Sequence, residues 1–153
     1  IDFVGSLSDD AVADLYSKCR AFVFPGVEDF GITPLEAMAS GAPVIALRKG
    51  GAAETVTDET GVFFEEPSVE GLMSAIKRFE DRMVSGEGFS EQACRARAAD
   101  FSRKRFQEEI TQVIKRAWKE AGKDPAQLEE KLSGGWTESE ARPRPSEASP
   151  VLG

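Results

Sequence analysis

Histidine is absent from the 153 residues, and cysteine occurs only twice. Without histidine this chain supplies no Ser-His-Asp or Cys-His catalytic group, no histidine general base and no HExxH zinc site. Cys19 and Cys94 lie far apart in the sequence and form no CxxC pair, so neither a zinc site nor a redox pair is indicated. Two such thiols are typical of buried side chains in a reducing cytoplasm, which is the location we expect.

Long apolar runs and an excess of positive charge are also missing. No run is long enough for a membrane-spanning helix, so we expect no transmembrane segment, whereas peripheral membrane association of a longer parent stays open. The chain has 27 acidic and 19 basic residues, a net charge of −8. Since nucleic-acid binding requires a basic surface, we expect no nucleic acid partner. The first residue is Ile1 rather than Met, which favours a piece of a longer protein.

Strand-like and helix-like segments alternate along the first two-thirds of the chain. Short apolar runs predict strands at 1–5, 21–24, 43–47 and 61–64. Helical spacing of apolar residues predicts helices at 9–20, 33–40, 52–56, 69–83, 90–100 and 102–121. The alternation predicts an α/β fold with a Rossmann-like parallel sheet and flanking helices over residues 1–121. Residues 122–153 are polar and are predicted to be a disordered tail, apart from a short helix at 124–132.

The segment from Pro25 to Gly41 joins a buried strand to a helix, which is where open α/β sheets bind ligands. Gly31 allows the backbone to approach a ligand closely. Thr33 and Pro34 fit the N-cap and first position of the helix, which would direct free N–H groups toward the loop. The pattern predicts an anion site, most simply for a phosphate.

Glu28 on this loop and Glu36 in the first helical turn flank the predicted anion site. Glu36 has a structural alternative, because Thr33 through Glu36 also fits a capping box. Glu28 could equally be a solvated loop residue. Three downstream residues are secondary site candidates, and they also fit a plain turn followed by a helix start: Gly50, Gly51 and Glu54.

The arrangement as a whole resembles a known family. The stretch EDFGITPLEAMASGAPVI, with seven residues between Glu28 and Glu36, is similar to the E-x7-E segment of retaining GT-B glycosyltransferases of the family-4 type. The flanking sequences FVGSLS, GGAAETV and TGVFF resemble the neighbouring segments of that family. The amino-acid sequence of this segment is most similar to that of the mannosyltransferase branch that builds bacterial surface polysaccharides.

The resemblance implies a role for each site residue. Glu28 would be the catalytic carboxylate and would hold hydroxyls of the transferred sugar, while Glu36 would bind the ribose of the nucleotide. The backbone of four residues would contact the sugar and the diphosphate: Phe30, Gly31, Ile32 and Thr33. Protein donors would neutralise the phosphate charge, so the resemblance implies neither a metal nor a cofactor beyond the nucleotide-sugar donor.

The implied parent enzyme transfers a hexose, with mannose from GDP-mannose as one candidate, to a glycan or lipid-linked acceptor. In the family pattern this chain is an N-terminally truncated part of the C-terminal domain. The acceptor domain, two strands and an Arg/Lys pair would lie outside it, so the isolated chain would be inactive and strand 1–5 would lack its neighbours. Arg48 and Lys49 lie elsewhere in the pattern and are not that pair. Two alternatives remain, a non-catalytic sugar-nucleotide-binding or interaction module and an epimerase of the same architecture.

Overall fold

The computed structural model describes residues 1–133. The part of the predicted tail at 134–153 lies outside the described residues. The chain falls into two compact units, Ile1–Phe106 and Gln107–Gly153. The predicted domain boundary at residue 121 stays a prediction.

A three-stranded parallel sheet forms the centre of the first unit. Its strands are β1 (Phe22–Phe24), β2 (Val44–Leu47) and β3 (Gly61–Phe64), paired side by side in chain order. Val44 lies opposite Phe22 on one side and Gly61 on the other. This architecture confirms the predicted α/β class with a Rossmann-like parallel sheet and flanking helices.

Helices connect and follow the strands. Those of the first unit and the junction are α1 (Asp9–Lys18), α2 (Ile32–Ala39), α3 (Ala52–Thr55), α4 (Val69–Ser85), α5 (Glu91–Ala99) and α6 (Arg103–Glu120), and α7 (Pro125–Ser133) follows. Serine hydroxyls cap four of them, because Ser8, Ser68, Ser90 and Ser102 each accept a hydrogen bond from an N–H group in the first turn. The short helix α7 forms where the sequence predicted one at 124–132. No helix within the described part of the chain is both long and apolar enough to cross a membrane.

The core lies on both faces of the sheet, as the uninterrupted apolar run of β2 predicts. Val44 and Ala46 belong to one cluster, which includes residues of α2 and α5. Ile45 and Leu47 belong to the other cluster, which includes residues of α4. Alternate residues of a strand point to opposite faces, so β2 is buried on both. This burial holds in place the carboxyl ends of β1 and β2, after which the loops of the candidate site begin.

The predicted strand at 1–5 is wrong. These residues form no strand, and the side chain of Phe3 is 96% exposed. A strand needs a neighbour to accept and donate its backbone hydrogen bonds, and none of the described strands pairs with this segment. Apolar residues alone do not make a strand where no described strand pairs with them.

Candidate functional site

The candidate site is built at the carboxyl ends of β1 and β2. The β1–α2 loop (residues 25–31) leaves β1, and the Gly-Gly turn (residues 48–51) leaves β2. Because the two strands are parallel neighbours, both connections start at the same edge of the sheet. This topology places the loop of Glu28 beside the turn of Gly50 and Gly51.

The Gly-Gly turn supports the β1–α2 loop through the backbone. The Gly51 N–H donates to the Glu28 carbonyl oxygen at 2.7 Å. A Cβ at Gly50 would overlap that same carbonyl, and a Cβ at Gly51 would overlap the backbone of Phe30. Gly50 also has a φ of +59°, which other residues adopt only with strain. The two glycines are therefore required by close packing of two backbones.

Helix α2 begins earlier than its sequence predicts. Gly31 is the N-cap residue, with φ +77° and ψ +70°, and no side chain caps the helix. Thr33 and Pro34 are therefore the second and third helical residues, so the predicted N-cap at Thr33 and first position at Pro34 are wrong. The reason is the left-handed conformation of Gly31, which turns the chain into the helix without a side-chain cap. Pro34 costs no hydrogen bond there, because the first-turn N–H groups have no partner inside a helix.

The beginning of α2 presents unpaired donors. Within residues 1–133, the N–H groups of Gly31, Ile32 and Thr33 have no hydrogen-bond acceptor. Such N–H groups, together with the positive end of the helix dipole, attract anions. The donors belong to three of the four residues predicted to contact the sugar and the diphosphate, and the fourth, Phe30, precedes them.

Glu36 does not form the predicted capping box. It lies in the fifth position of α2 rather than the third, and its exposed carboxylate has no hydrogen-bond or ion-pair partner within residues 1–133. Burial raises the pKa of Tyr16, and the negative charges of Glu36 and Cys19 raise it further. The carboxylate of Glu36 is thus close enough to α1 for its charge to act there. The structural alternative for Glu36 is removed, although its ribose role stays a prediction.

The other predicted carboxylates are placed differently. Glu28 is exposed on the β1–α2 loop, and its side chain has no partner in the described part of the chain. Glu54 is the third residue of α3, where an acidic side chain complements the helix dipole. Its exposed side chain makes no ion pair within residues 1–133. The structure therefore joins Glu28 with Gly50 and Gly51 through the backbone but shows no side-chain contact between Glu54 and the rest of the site.

A shallow cavity of about 440 Å³ adjoins the start of α2. Its lining includes Phe30, Ile32 and Glu36 from the predicted site. Helix α5 and the residues after it provide the opposite wall, including Arg95 and Phe101. The sequence predicts no such wall. The only signal available for it was the apolar spacing of the helix, which predicts a buried face but not what that face covers.

A second cavity of about 500 Å³ follows the outer edge of β3. We call it the β3 groove; its lining includes Arg48, Asp58, Phe63, Arg78 and Arg82. It contains none of the predicted site residues. In residues 1–133 no group of three Cys, Asp or Glu side chains is arranged to hold a metal ion. The absence of a metal requirement stays a prediction.

Comparison with known proteins gives a consistent family assignment. Residues 1–95 match the model of the family described as "Glycosyl transferases group 1". The chain is 33% identical over 118 residues to human "Alpha-1,3/1,6-mannosyltransferase ALG2", covering 74% of this chain and 28% of that protein. It is 28% identical over 115 residues to the protein of the same name from Dictyostelium discoideum, covering 74% of this chain and 27% of that protein.

A bacterial relative is similar over a shorter stretch. The chain is 39% identical over 83 residues to "Lipopolysaccharide core biosynthesis mannosyltransferase LpsB" of Rhizobium meliloti, covering 52% of this chain and 23% of that protein. The chain therefore spans about a quarter of the length of each of these three relatives.

Proposed function

Because the chain belongs to the group 1 family of glycosyl transferases, we propose that it is part of the nucleotide-sugar-binding domain of a retaining glycosyltransferase with the GT-B fold. The parent enzyme transfers a hexose from a nucleotide-diphosphate sugar to a glycan or lipid-linked acceptor. The relatives named as mannosyltransferases support mannose as the hexose, with GDP-mannose as the first donor to test. Family membership favours this function over an epimerase or a non-catalytic module.

One observation carries the proposal, namely the unpaired N–H groups of Gly31, Ile32 and Thr33 at the end of the loop that carries the exposed carboxylate of Glu28. A diphosphate leaving group develops negative charge as the glycosidic bond to it breaks. N–H groups that are already oriented stabilise such charge without further reorganisation. The start of α2 is a suitable place for the diphosphate, and no metal is required for this neutralisation.

The two carboxylates bind the hydroxyl-bearing parts of the donor. A carboxylate accepts hydrogen bonds from two adjacent hydroxyls, and charged acceptors bind more strongly than neutral ones. Glu28, on the loop before the diphosphate site, holds the hydroxyls of the transferred hexose. Glu36, one turn into α2, accepts from the ribose hydroxyls. The acceptor is held by parts of the enzyme outside this chain, so transfer requires the parent protein.

The substitution Glu36→Gln in the full-length protein tests the placement of the nucleotide. Gln keeps one acceptor oxygen and puts an NH₂ group where the second ribose hydroxyl points. The lost charge-assisted hydrogen bond is worth on the order of 1.5–3 kcal/mol, so donor affinity falls roughly tenfold or more. Isothermal titration calorimetry with GDP-mannose, GDP and other nucleotide sugars measures the change. The melting temperature stays close to that of the unmodified protein, because the Glu36 carboxylate has no partner within residues 1–133.

Thr33→Ala is the matched control on the same helix. Its side chain makes no cap hydrogen bond, so the substitution leaves both stability and the backbone N–H group of residue 33 essentially unchanged. Donor affinity therefore stays near the original value. If Glu36→Gln binds the donor as tightly as Thr33→Ala does, the ribose does not lie at Glu36 and the proposed nucleotide placement is wrong.

A further inference from the structure

Arg97, in the last turn of α5, binds the end of a different helix. Its Nε donates to the Thr55 carbonyl oxygen at 2.9 Å, and a terminal nitrogen donates to the Glu54 carbonyl oxygen at 2.6 Å. These are the last two carbonyls of α3, which lack partners inside a helix. A planar guanidinium can satisfy both at once, which an ammonium group cannot do in the same geometry.

Helix α3 passes this restraint to the β1–α2 loop. It has four residues and is too short to be stable without outside contacts. The Thr55 hydroxyl donates to the Gly51 carbonyl at 3.0 Å, and the Gly51 N–H donates to the Glu28 carbonyl at 2.7 Å. The guanidinium of Arg97 is therefore connected to the backbone of Glu28 through α3 and the Gly-Gly turn.

A second route reaches the same loop from the other direction. The Arg97 guanidinium lies over the ring of Phe101, 4.8 Å from its centroid. Phe101 in turn meets Phe30 edge to face, with ring centroids 6.1 Å apart. An aromatic contact thus holds the exposed Phe30. The Gly51 N–H holds the backbone of Glu28, two residues earlier in the loop. Both routes meet at Arg97.

We propose that Arg97 is a positioning residue for donor binding. It fixes α3 and Phe101, and through them it holds the β1–α2 loop so that Glu28 and the N–H groups of Gly31 to Thr33 point to one ligand. This role rests on the proposed function, because the ligand is the nucleotide sugar proposed above. Arg97 and Phe101 lie outside residues 1–95, the stretch that matches the family model.

Arg97→Lys in the full-length protein tests the proposal, with Arg82→Lys as the matched control. Arg82 also donates to a backbone carbonyl, that of Asp58 at 2.9 Å, and also lies over a phenylalanine, Phe89, at 4.1 Å. It belongs to the β3 groove, and within residues 1–133 none of its contacts reaches the β1–α2 loop. Both substitutions keep the positive charge and remove the guanidinium group. If the only effect is a loss of packing, the melting temperatures of the two variants therefore fall by similar amounts.

Donor affinity separates positioning from simple stabilisation. We expect Arg97→Lys to weaken binding of GDP-mannose about tenfold in calorimetry, the scale of one charge-assisted hydrogen bond, while Arg82→Lys leaves it unchanged. Phe101→Leu removes only the aromatic route and gives a smaller loss in the same direction. It also serves as the test variant if Arg97→Lys does not fold. Equal donor affinities of the Arg97 and Arg82 variants would overturn the positioning role.

Hydrogen–deuterium exchange gives a readout that needs no ligand. The Gly51 amide is bonded to the Glu28 carbonyl, so in Arg97→Lys we expect it to exchange about tenfold faster, and in Arg82→Lys at the original rate. If the unmodified protein binds no nucleotide sugar, the proposed function fails, and the exchange rates alone decide whether Arg97 braces the loop. Unchanged exchange at Gly51 in Arg97→Lys refutes the positioning role through α3.

Discussion

The start of α2, which adjoins one cavity, and the β3 groove, which is a second cavity of similar size, have opposite hydrogen-bonding properties. The cavities measure about 440 and 500 Å³. In the β3 groove, Arg48 pairs with Glu65 at 2.8 Å, Arg78 donates to the Phe63 carbonyl at 2.6 Å and Arg82 donates to the Asp58 carbonyl at 2.9 Å. At the start of α2, the N–H groups and the carboxylates have no such partners within residues 1–133.

The difference shows why volume is a poor guide to function in this molecule. The arginines of the β3 groove use their donors on the chain itself. Arg78 in particular covers a backbone carbonyl of β3, a strand with no described neighbour on its outer side. Such coverage protects an exposed sheet edge from pairing with other chains. The start of α2 instead keeps its hydrogen-bonding capacity available for a ligand. Substitutions on the two surfaces should therefore affect different measurements.

Glu28→Gln is expected to give the largest effect. Loss of the charged acceptor for sugar hydroxyls costs about 1.5–3 kcal/mol, so kcat/KM for hexose transfer by the full-length enzyme falls roughly 10- to 100-fold. The melting temperature is unchanged, because the Glu28 side chain has no partner within the described residues. Steady-state kinetics with the preferred nucleotide sugar and thermal unfolding provide the two readouts.

Asp29→Asn is the control for Glu28→Gln. Asp29 is the adjacent acidic residue, it is also exposed, and the change removes the same charge from the same loop. Its kcat/KM stays within about twofold of the original if Glu28 acts by direct contact, since screened charge effects at an exposed site are small. Equal losses in the two variants would mean that the loop's overall charge matters and that Glu28 has no special role.

The sequence predicts the sheet and the loop that carries the candidate site, because both depend on local patterns. Strand β2 can be recognised from its uninterrupted apolar run, because it is buried on both faces. The connections that follow β1 and β2 start at the same edge of the sheet in any parallel arrangement of the two strands. Gly50 and Gly51 were recognised as a turn. The reason for glycine, close contact with the backbone of Glu28 and Phe30, became visible only in three dimensions.

Features that depend on distant contacts or on backbone conformation were not predictable. Thr33 has the right residue type for an N-cap, yet the positive φ of Gly31 moves the helix start two residues earlier. Arg97 lies 42 and 43 positions from the carbonyls it binds, with no periodic pattern to connect them. Residues 1–5 have a strand-like composition but no adjacent strand. Local sequence indicates an element's type, whereas its partners decide whether it forms.

Arg78→Met tests the structural side of the comparison and should have an intermediate effect. Met keeps much of the apolar stem but loses the hydrogen bonds to the Phe63 carbonyl and to the Ser74 hydroxyl, at 2.6 and 2.8 Å. We expect the free energy of unfolding to fall by about 1–2 kcal/mol in urea titration. Donor affinity stays unchanged, because the β3 groove holds none of the proposed donor contacts. A fall in affinity comparable to that of Glu36→Gln would show that the groove belongs to the ligand site.

Glu65→Gln should have the smallest effect, because it breaks a single exposed ion pair. The Arg48–Glu65 contact is 2.8 Å long, but the two side chains are 46% and 67% exposed. Exposed pairs of this kind contribute about 0.2–1 kcal/mol, and salt screens them. Arg48 also remains over the ring of Phe63, 4.0 Å from its centroid, so its stem and guanidinium stay packed after the change. We expect a small loss of stability at low ionic strength that disappears in about 1 M salt, where the Debye length is only ~3 Å. A loss that persists at high salt would mean that Glu65 orders the β3 groove through a directional hydrogen bond to Arg48 that Gln does not reproduce, rather than through screened charge.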